Sequence, residues 1–158
     1  SLDDVHIATM RKIIGMAKVA GIRKWIEESS HEKIVVFAYH RAVIDELKKI
    51  ENSVFIDGRC TLDQREKAKN DFQHGNARVF IGQNKAAGTG LTLTAGSVLL
   101  LVEPEWNPAD NIQIKDRIWR IGQKNGCLIY FVMLPGSIDE GIVRVNKRKT
   151  ETYKNIGL

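Results

Sequence analysis

The sequence predicts a three-layer α/β domain, a mostly parallel sheet with helices on both faces. Two observations predict it. Short apolar runs without polar/apolar alternation recur along the chain, as strands buried on both faces require. Between them lie stretches whose apolar residues return at three- and four-residue steps, the period of a helix. The 158 residues suit one domain of ordinary size, and no internal repeat, low-complexity tract or interdomain linker divides them. With 43% hydrophobic and 27% charged residues the chain is globular rather than disordered.

Each element has its own signal. Ile14, Ala17, Gly21 and Trp25 mark a long first helix from about Thr9 to Glu28. Lys33 to Ala38 (KIVVFA) reads as a buried strand. Val43, Ile44, Leu47 and Ile50 form a helical stripe, and Ser53 to Asp57 (SVFID) a second strand. Thr61 to Gln73 opens on T-L-D-Q, a capping box with Thr61 as N-cap and Gln64 reaching back. Arg78 to Gly82, Val98 to Val102 and Leu128 to Leu134 are the third, fourth and fifth strands. Between the last two, Asn107 can cap a helix with Pro108 at its first position. Pro135-Gly136 is a turn, and Ser137 with Glu140 forms a further capping box ahead of a basic terminal helix. The expected layout is a leading helix region over 1–30, a core sheet over 33–135 and the terminal helix over 137–155.

Composition excludes several classes. No apolar run approaches the roughly 20 residues of a membrane span; the longest, Val98 to Val102, is strand-sized. The N-terminus lacks a basic region followed by an apolar stretch, so no secretory leader is expected. The first residue is Ser, which fits a processed chain or a fragment of a longer one. Cys60 and Cys127 stand 67 apart and suggest neither a disulfide framework nor a zinc site. They fit a reducing, intracellular compartment. His6, His31, His40 and His74 show no ligand spacing, so no metal is expected. The net charge of +5 fits a polyanionic partner, or simply a slightly basic domain.

No stretch reads GxxxxGK[ST], so the chain lacks a phosphate-binding P-loop of its own. Asp139-Glu140 belongs to a capping box, and Asp45-Glu46 lies on a helix. Ligands of such a fold gather at the carboxyl ends of the strands. The loops after Ala38, Asp57, Gly82 and Val102 are therefore the ones to examine.

Three segments stand out. In Trp106 to Gln123 (WNPADNIQIKDRIWRIGQ), Gln113, Arg117 and Arg120 share one helical face beside a stripe of Ile114, Ile118 and Ile121. An arginine fork matches phosphate oxygens and can stabilise charge on a γ-phosphate held by another surface. A salt-bridged face with Asp116 opposite Arg120 explains the same spacing. Gln83 to Thr94 (QNKAAGTGLTLT) follows a buried strand, where small residues let backbone N–H groups approach a phosphate, or simply make a tight turn. Asp57 to Arg65 (DGRCTLDQR) sets Arg59 and Arg65 at a helix N-terminus, either a phosphate seat or a capped start with surface arginines.

Taken together these segments resemble the second RecA-like lobe of Snf2-family (Swi2/Snf2) ATP-dependent DNA translocases of helicase superfamily 2. The resemblance runs from Lys33 to about Ile142 and carries five motifs in order. KIVVFAYH resembles motif IV. IDGRCTLDQREKAKNDFQ resembles the I-D-G-x-(T/S)-x-x-x-R segment. VFIGQNKAAGTGLTLTAGSVLLLVEPEWNP is similar to motif V and its Trp-Asn-Pro. QIKDRIWRIGQ is similar to motif VI, and PGSIDEGI to the segment that closes the lobe. The wording of GMAKVAGIRKWIEE and VVFAYH leans toward the distant, annealing-helicase-like branch with its bacterial and phage members. That places the expected setting in bacterial or phage-infected cytoplasm.

The resemblance implies a RecA-like, P-loop-NTPase-like lobe filling 1–158, with site residues carried over motif by motif. Arg117 and Arg120 occupy the motif VI arginines that reach the γ-phosphate, Arg120 as the finger, and Gln113 is the leading Gln. Gly88 and Gly90 match the motif V glycines near the nucleotide. His40, Arg59, Thr61, Gln83, Asn84, Lys85, Trp106 and Asn107 fall where the family touches the DNA backbone or follows it. ATP with Mg²⁺ would be held mainly by an N-terminal lobe that this chain lacks, and double-stranded DNA is the implied partner. The lobe alone is expected to be an inactive monomer. The chain departs from the family's usual Ser-Thr at Gln83-Asn84, Gly at Ala87, Asn at Thr92, Ala at Ile114 and His at Trp119. Two other readings remain on residues alone: a stand-alone module that binds nucleic acid or a partner without catalysis, and a flavodoxin- or receiver-like domain. The second requires a clustered acidic or flavin site at the early strand ends, and the sequence has none.

Overall fold

The computed structural model describes residues 2–84, 93–103 and 128–133, and the backbone of 138–139, 144–146 and 149–152. The described elements are α1 (Leu2–Glu28), β1 (Ile34–Ala38), α2 (Arg41–Leu47), β2 (Ser53–Ile56), α3 (Leu62–Gln73), β3 (Val79–Gln83), β4 (Val98–Leu101), β5 (Leu128–Val132) and β6 (Ile138–Asp139). A separate pair follows, β7 (Arg144–Asn146) and β8 (Lys149–Thr152).

The sheet runs in the order β2-β3-β1-β4-β5-β6. Every pairing is parallel except β5 with β6, where Phe131 stands opposite Asp139 and Val132 opposite Ile138. β1 lies inside, with Ile34 beside Val79 on one flank and Val98 on the other. All five of its residues are buried, which is why KIVVFA shows no alternation. β2 ends the sheet on the other side, and its first three residues are only half-buried.

Topology decides which face each helix covers. The chain moves outward from β1 past β3 to reach β2, then returns to β3. Right-handed crossovers in opposite directions put their helices on opposite faces. Accordingly α2 joins α1 on one face: Val43, Ile44 and Leu47 pack with Val19, Ile22 and Ile26 against Ile34, Val36, Ala38, Ile81 and Leu100. α3 takes the other, where Ala68 and Phe72 pack with Val35, Phe37, Phe80, Leu99 and Ile129. Two cores separated by one sheet make the expected three-layer α/β domain.

Local signals hold in detail at several places. Thr61 Oγ1 accepts the Gln64 N–H at 3.2 Å while Gln64 Oε1 accepts the Thr61 N–H at 2.9 Å, the reciprocal capping box. Asn52 closes the turn before β2 at φ 57°, a region asparagine tolerates. Its carbonyl accepts the N–H groups of Arg78 at 2.8 Å and Val79 at 3.2 Å, which sets the register of β3 on β2.

Two expectations need correction. The buried row of α1 is Gly15, Lys18, Val19, Ile22 and Ile26, one step round from the predicted row; Ile14 and Ala17 are exposed. A lysine inside the buried row hid the true face from a count of apolar residues. The helix also begins at Leu2 rather than Thr9. The basic terminal helix over 137–155 is not what the described backbone shows. Ile138–Asp139 pair along β5, while Arg144–Asn146 and Lys149–Thr152 form an antiparallel hairpin. Val145, Thr150 and Thr152 are β-branched and suit strands. The helix expected after Asn107 lies outside the described residues. Among the described residues no helix is long and apolar enough to cross a membrane.

Candidate functional site

Strand order reverses around β1, so the carboxyl ends of β3, β1 and β4 lie side by side. Such a point is where an open α/β sheet presents its binding residues. Here they are Gln83 and Asn84 after β3, Tyr39 and His40 after β1, and Val102 and Glu103 after β4. The Asp57-to-Thr61 turn after β2 flanks them.

Glu103 ties two strand ends together. One carboxylate oxygen, Oε2, accepts the backbone N–H of Tyr39 at 2.6 Å and of His40 at 2.9 Å. The other, Oε1, lies 2.6 Å from His40 Nδ1. His40 is the N-cap of α2, yet its side chain makes no capping bond; the ring is committed to Glu103. Helix α1 closes the site from behind. Lys18 Nζ donates to the Val102 carbonyl at 2.6 Å, and the Arg11 guanidinium stands 5.4 Å from the Tyr39 ring centre. Burial pushes the Lys18 ammonium below its usual range, and the Glu103 carboxylate offsets only part of that.

Gln83 links the next pair of loops. Its Nε2 donates to the Tyr39 carbonyl at 3.0 Å, and its Oε1 accepts the Gly58 N–H at 3.4 Å. Asn84 is buried, with its backbone N–H on the Ala38 carbonyl at 2.9 Å and its Nδ2 on the Glu103 carbonyl at 3.2 Å. Among the described residues its buried Oδ1 has no partner.

The turn after β2 is braced by charge. Asp57 is fully buried and accepts from Arg59 three times: backbone N–H on Oδ1 at 2.9 Å, Nε on Oδ2 at 3.0 Å and Nη2 on Oδ2 at 2.5 Å. Arg59 Nη2 also reaches Asp45 Oδ1 at 2.7 Å. Burial pushes the Asp57 carboxyl up. The hydrogen bonds from the Arg59 side chain and backbone, with the charges of Arg59 and Arg41, outweigh it and hold the group below the ordinary carboxylate range. Hydrogen bonds to Asp57 and Asp45 raise the Arg59 guanidinium further still. Arg65 donates to the Asp57 and Cys60 carbonyls, each at 3.4 Å.

Of the residues the sequence singled out, His40, Arg59, Thr61 and Gln83 come together on this rim with exposed or half-exposed side chains. Asn84 is beside them but turned inward. Lys85, Gly88, Gly90, Trp106, Asn107, Gln113, Arg117 and Arg120 lie outside the described residues. Sequence reasoning missed three members. Glu103 and Lys18 carry no local pattern. Arg41, exposed at the start of α2, stands over Gly58, where a Cβ would come within 3.1 Å of Nη2. A basic residue directly after a predicted strand end was the available signal for Arg41.

Chemically the rim offers outward arginines, a histidine, a hydroxyl and amide groups, with the nearest carboxylates already engaged. That set suits an anion.

Comparison with known proteins gives the family and the fold. The helicase conserved C-terminal domain matches residues 17–122. The DNA repair and recombination protein RAD54 of Saccharomyces cerevisiae is 32% identical over 131 residues, 78% of this chain and 15% of that protein. The human DNA excision repair protein ERCC-6-like is 33% identical over 151 residues, 90% of this chain and 12% of that protein. The C-terminal part of the Fun30 ATPase domain shares the fold, with a TM-score of 0.62 at 23% identity over 72% of this chain and 40% of that one. The chain thus spans less than a fifth of either curated relative. The extent of the domain match and these identities lead to one assignment: the chain belongs to the helicase conserved C-terminal domain family, on its Snf2 branch of helicase superfamily 2.

Proposed function

We propose that the chain is the second motor lobe of an ATP-driven translocase that moves along double-stranded DNA. The observation that carries the reading is the convergence of His40, Arg41, Arg59, Thr61 and Gln83 at the carboxyl ends of β1, β2 and β3, in a chain of this family. These groups would hold backbone phosphates, helped by Lys85 and the Trp106-Asn107 turn. Asn84 would support the rim from beneath. Contacts of this kind read no bases, so binding would be salt-sensitive and sequence-tolerant.

ATP and its Mg²⁺ would sit mainly on a preceding lobe with a P-loop. Gly88 and Gly90 would border the nucleotide. Closure would bring Arg117 and Arg120 onto the γ-phosphate, Gln113 beside them, with Arg120 stabilising the charge that develops there. Hydrolysis would reopen the cleft and shift the grip by one step. Relatives named for DNA repair and recombination support DNA as the partner.

The test is ATP hydrolysis by the longest natural form of the protein, with and without double-stranded DNA, beside Arg120→Ala. DNA-stimulated turnover that falls about 10³-fold or more in the variant is the expected result. Near-normal turnover in the variant sinks the finger assignment. No turnover in the wild type favours a binding module without catalysis.

A further inference from the structure

We propose that Glu103 is a positioning residue that presents His40 to a phosphate of the DNA backbone, an inference that rests on the DNA reading above. Three of the carboxylate's contacts go to two consecutive residues 63 and 64 positions away. The two backbone bonds fix where the chain turns after β1. The bond to Nδ1 fixes how the imidazole is rotated. A carboxylate only accepts, so the hydrogen between these groups belongs to Nδ1. The nitrogen left for a ligand is therefore Nε2.

The surroundings are built for this. The Glu103 side chain is 5% exposed and that of His40 19%, so the carboxylate is buried while the His40 side chain keeps part of its surface open. Gly15 of α1 faces the carboxylate; a Cβ there would stand 2.5 Å from Oε1. The helix can lie this close because residue 15 has no side chain. Lys18, three residues on, sets a positive charge near Glu103 from the same helix face. Asn84 Nδ2 holds the Glu103 backbone carbonyl from the side. Glu103 is thus fixed from β3 and α1, and it fixes β1 in turn.

In the complex His40 would stand between two anions, the Glu103 carboxylate and a phosphate. Its Nδ1–H donates to Glu103 and its Nε2–H to a phosphate oxygen, both charge-assisted bonds. Glu103 touches no DNA itself and acts only through His40 and its turn. The arrangement parallels the outer partners of metal-bound histidines, which set tautomer and orientation from behind.

Glu103→Gln separates this role from folding. Its amide oxygen still accepts the two backbone N–H groups, but its NH₂ faces Nδ1 and removes the acceptor that holds the Nδ1 hydrogen. Double-stranded DNA affinity is measured at low salt in the longest natural form for wild type, Glu103→Gln, His40→Ala and the double variant. Each single change is expected to weaken binding roughly three- to tenfold, with no further loss in the double variant. Additive losses, or a Glu103→Gln protein that binds as well as wild type, overturn the proposal. A His40→Ala protein with unchanged affinity also overturns it, and locates the failure in the DNA contact. Imidazole ¹⁵N spectra of the wild type, with His40 assigned through His40→Ala, report the grip without DNA and without altering Glu103. Protonated Nδ1 is expected; a ring protonated only at Nε2 rejects the role of Glu103 whatever the DNA data show.

Discussion

Arg59 and Asp57 are joined side chain to side chain and backbone to side chain across two residues, and Arg59 reaches on to Asp45. The guanidinium therefore has two partners before any ligand arrives. Its side chain is nevertheless 39% exposed, so its outer surface can still face a phosphate. The carboxylates orient it, and the turn from Asp57 to Thr61 is folded around it. An arginine held this way loses little freedom when it binds.

The first prediction concerns acid stability. Asp57 has its folded pKa below the ordinary value, so it takes up fewer protons folded than unfolded in the interval between the two. Its contribution is complete at neutral pH and is lost as pH falls below about 4 toward the folded value. Asp45 shifts in the same direction, first through its hydrogen bond from Arg59. Asp57→Asn should lower stability by about 1 to 3 kcal/mol at pH 7 and flatten its decline below pH 4. Urea unfolding at pH 3 to 7 gives both quantities. Equal stability of the two proteins at pH 7 would show that the Arg59 bonds contribute nothing net.

The start of α3 gives a second prediction. Thr61→Ala removes the acceptor of the Gln64 N–H, which should cost about 1 kcal/mol. Thr61→Ser keeps a hydroxyl on the same carbon and should restore most of it. Both are read from denaturant midpoints at constant slope. DNA affinity that falls in Ala and recovers in Ser beyond the change in stability would tie the hydroxyl to the ligand as well.

The centre of the sheet gives a third. Gly82 lies directly opposite Phe37, and a Cβ at 82 would stand 2.8 Å from its Cε1 and 2.9 Å from its Cδ1. Phe37 is buried at 2% exposure and packed on the α3 side, so its ring has little room to retreat. Gly82→Ala should destabilise by about 1 to 3 kcal/mol through overpacking. With Phe37→Leu already present the added loss should shrink, as a double-mutant cycle in urea would show. An undiminished loss would place the clash elsewhere.

What the sequence made legible depends on the range of the interaction. β1, β3 and β4 are buried on both faces, so their apolar runs announce them. The box at Thr61 and Gln64 spans one helical turn and reads directly. Ser137 and Glu140 have the same spacing, yet Ile138 and Asp139 pair along β5, because a sheet edge offered partners that no local pattern records. Long-range polar pairs were illegible for the same reason. Glu103 reaches His40 across 63 positions, and Lys18 reaches Val102 across 84. A lone Glu before a Pro, or a Lys on an amphipathic helix, reads as a solvated charge until the fold closes over it. Arg59 and Thr61 stood out at a helix start and Gln83 at the head of a small-residue loop, whereas His40 was reachable only as a match to a motif; the sheet then brought them to one rim.

Lys18 carries the last prediction. Its folded pKa lies below the unfolded value near 10.4, first because burial penalises the ammonium. Between the folded and unfolded values the unfolded chain binds more protons, so this residue's contribution to stability rises with pH through that window. Val102 and Glu103 receive the ammonium, the first by a hydrogen bond and the second through its charge. Lys18→Met keeps the stem's volume in the buried row but removes the donor to the Val102 carbonyl and a charge that balances the Glu103 carboxylate. Stability at pH 7 should fall by about 1 to 3 kcal/mol. The alkaline rise belonging to Lys18 should vanish when wild type and variant are compared at pH 7 to 10, a difference in which all other titrations cancel. A variant as stable as wild type at pH 7 would mean that desolvating the ammonium cancels what its two partners return.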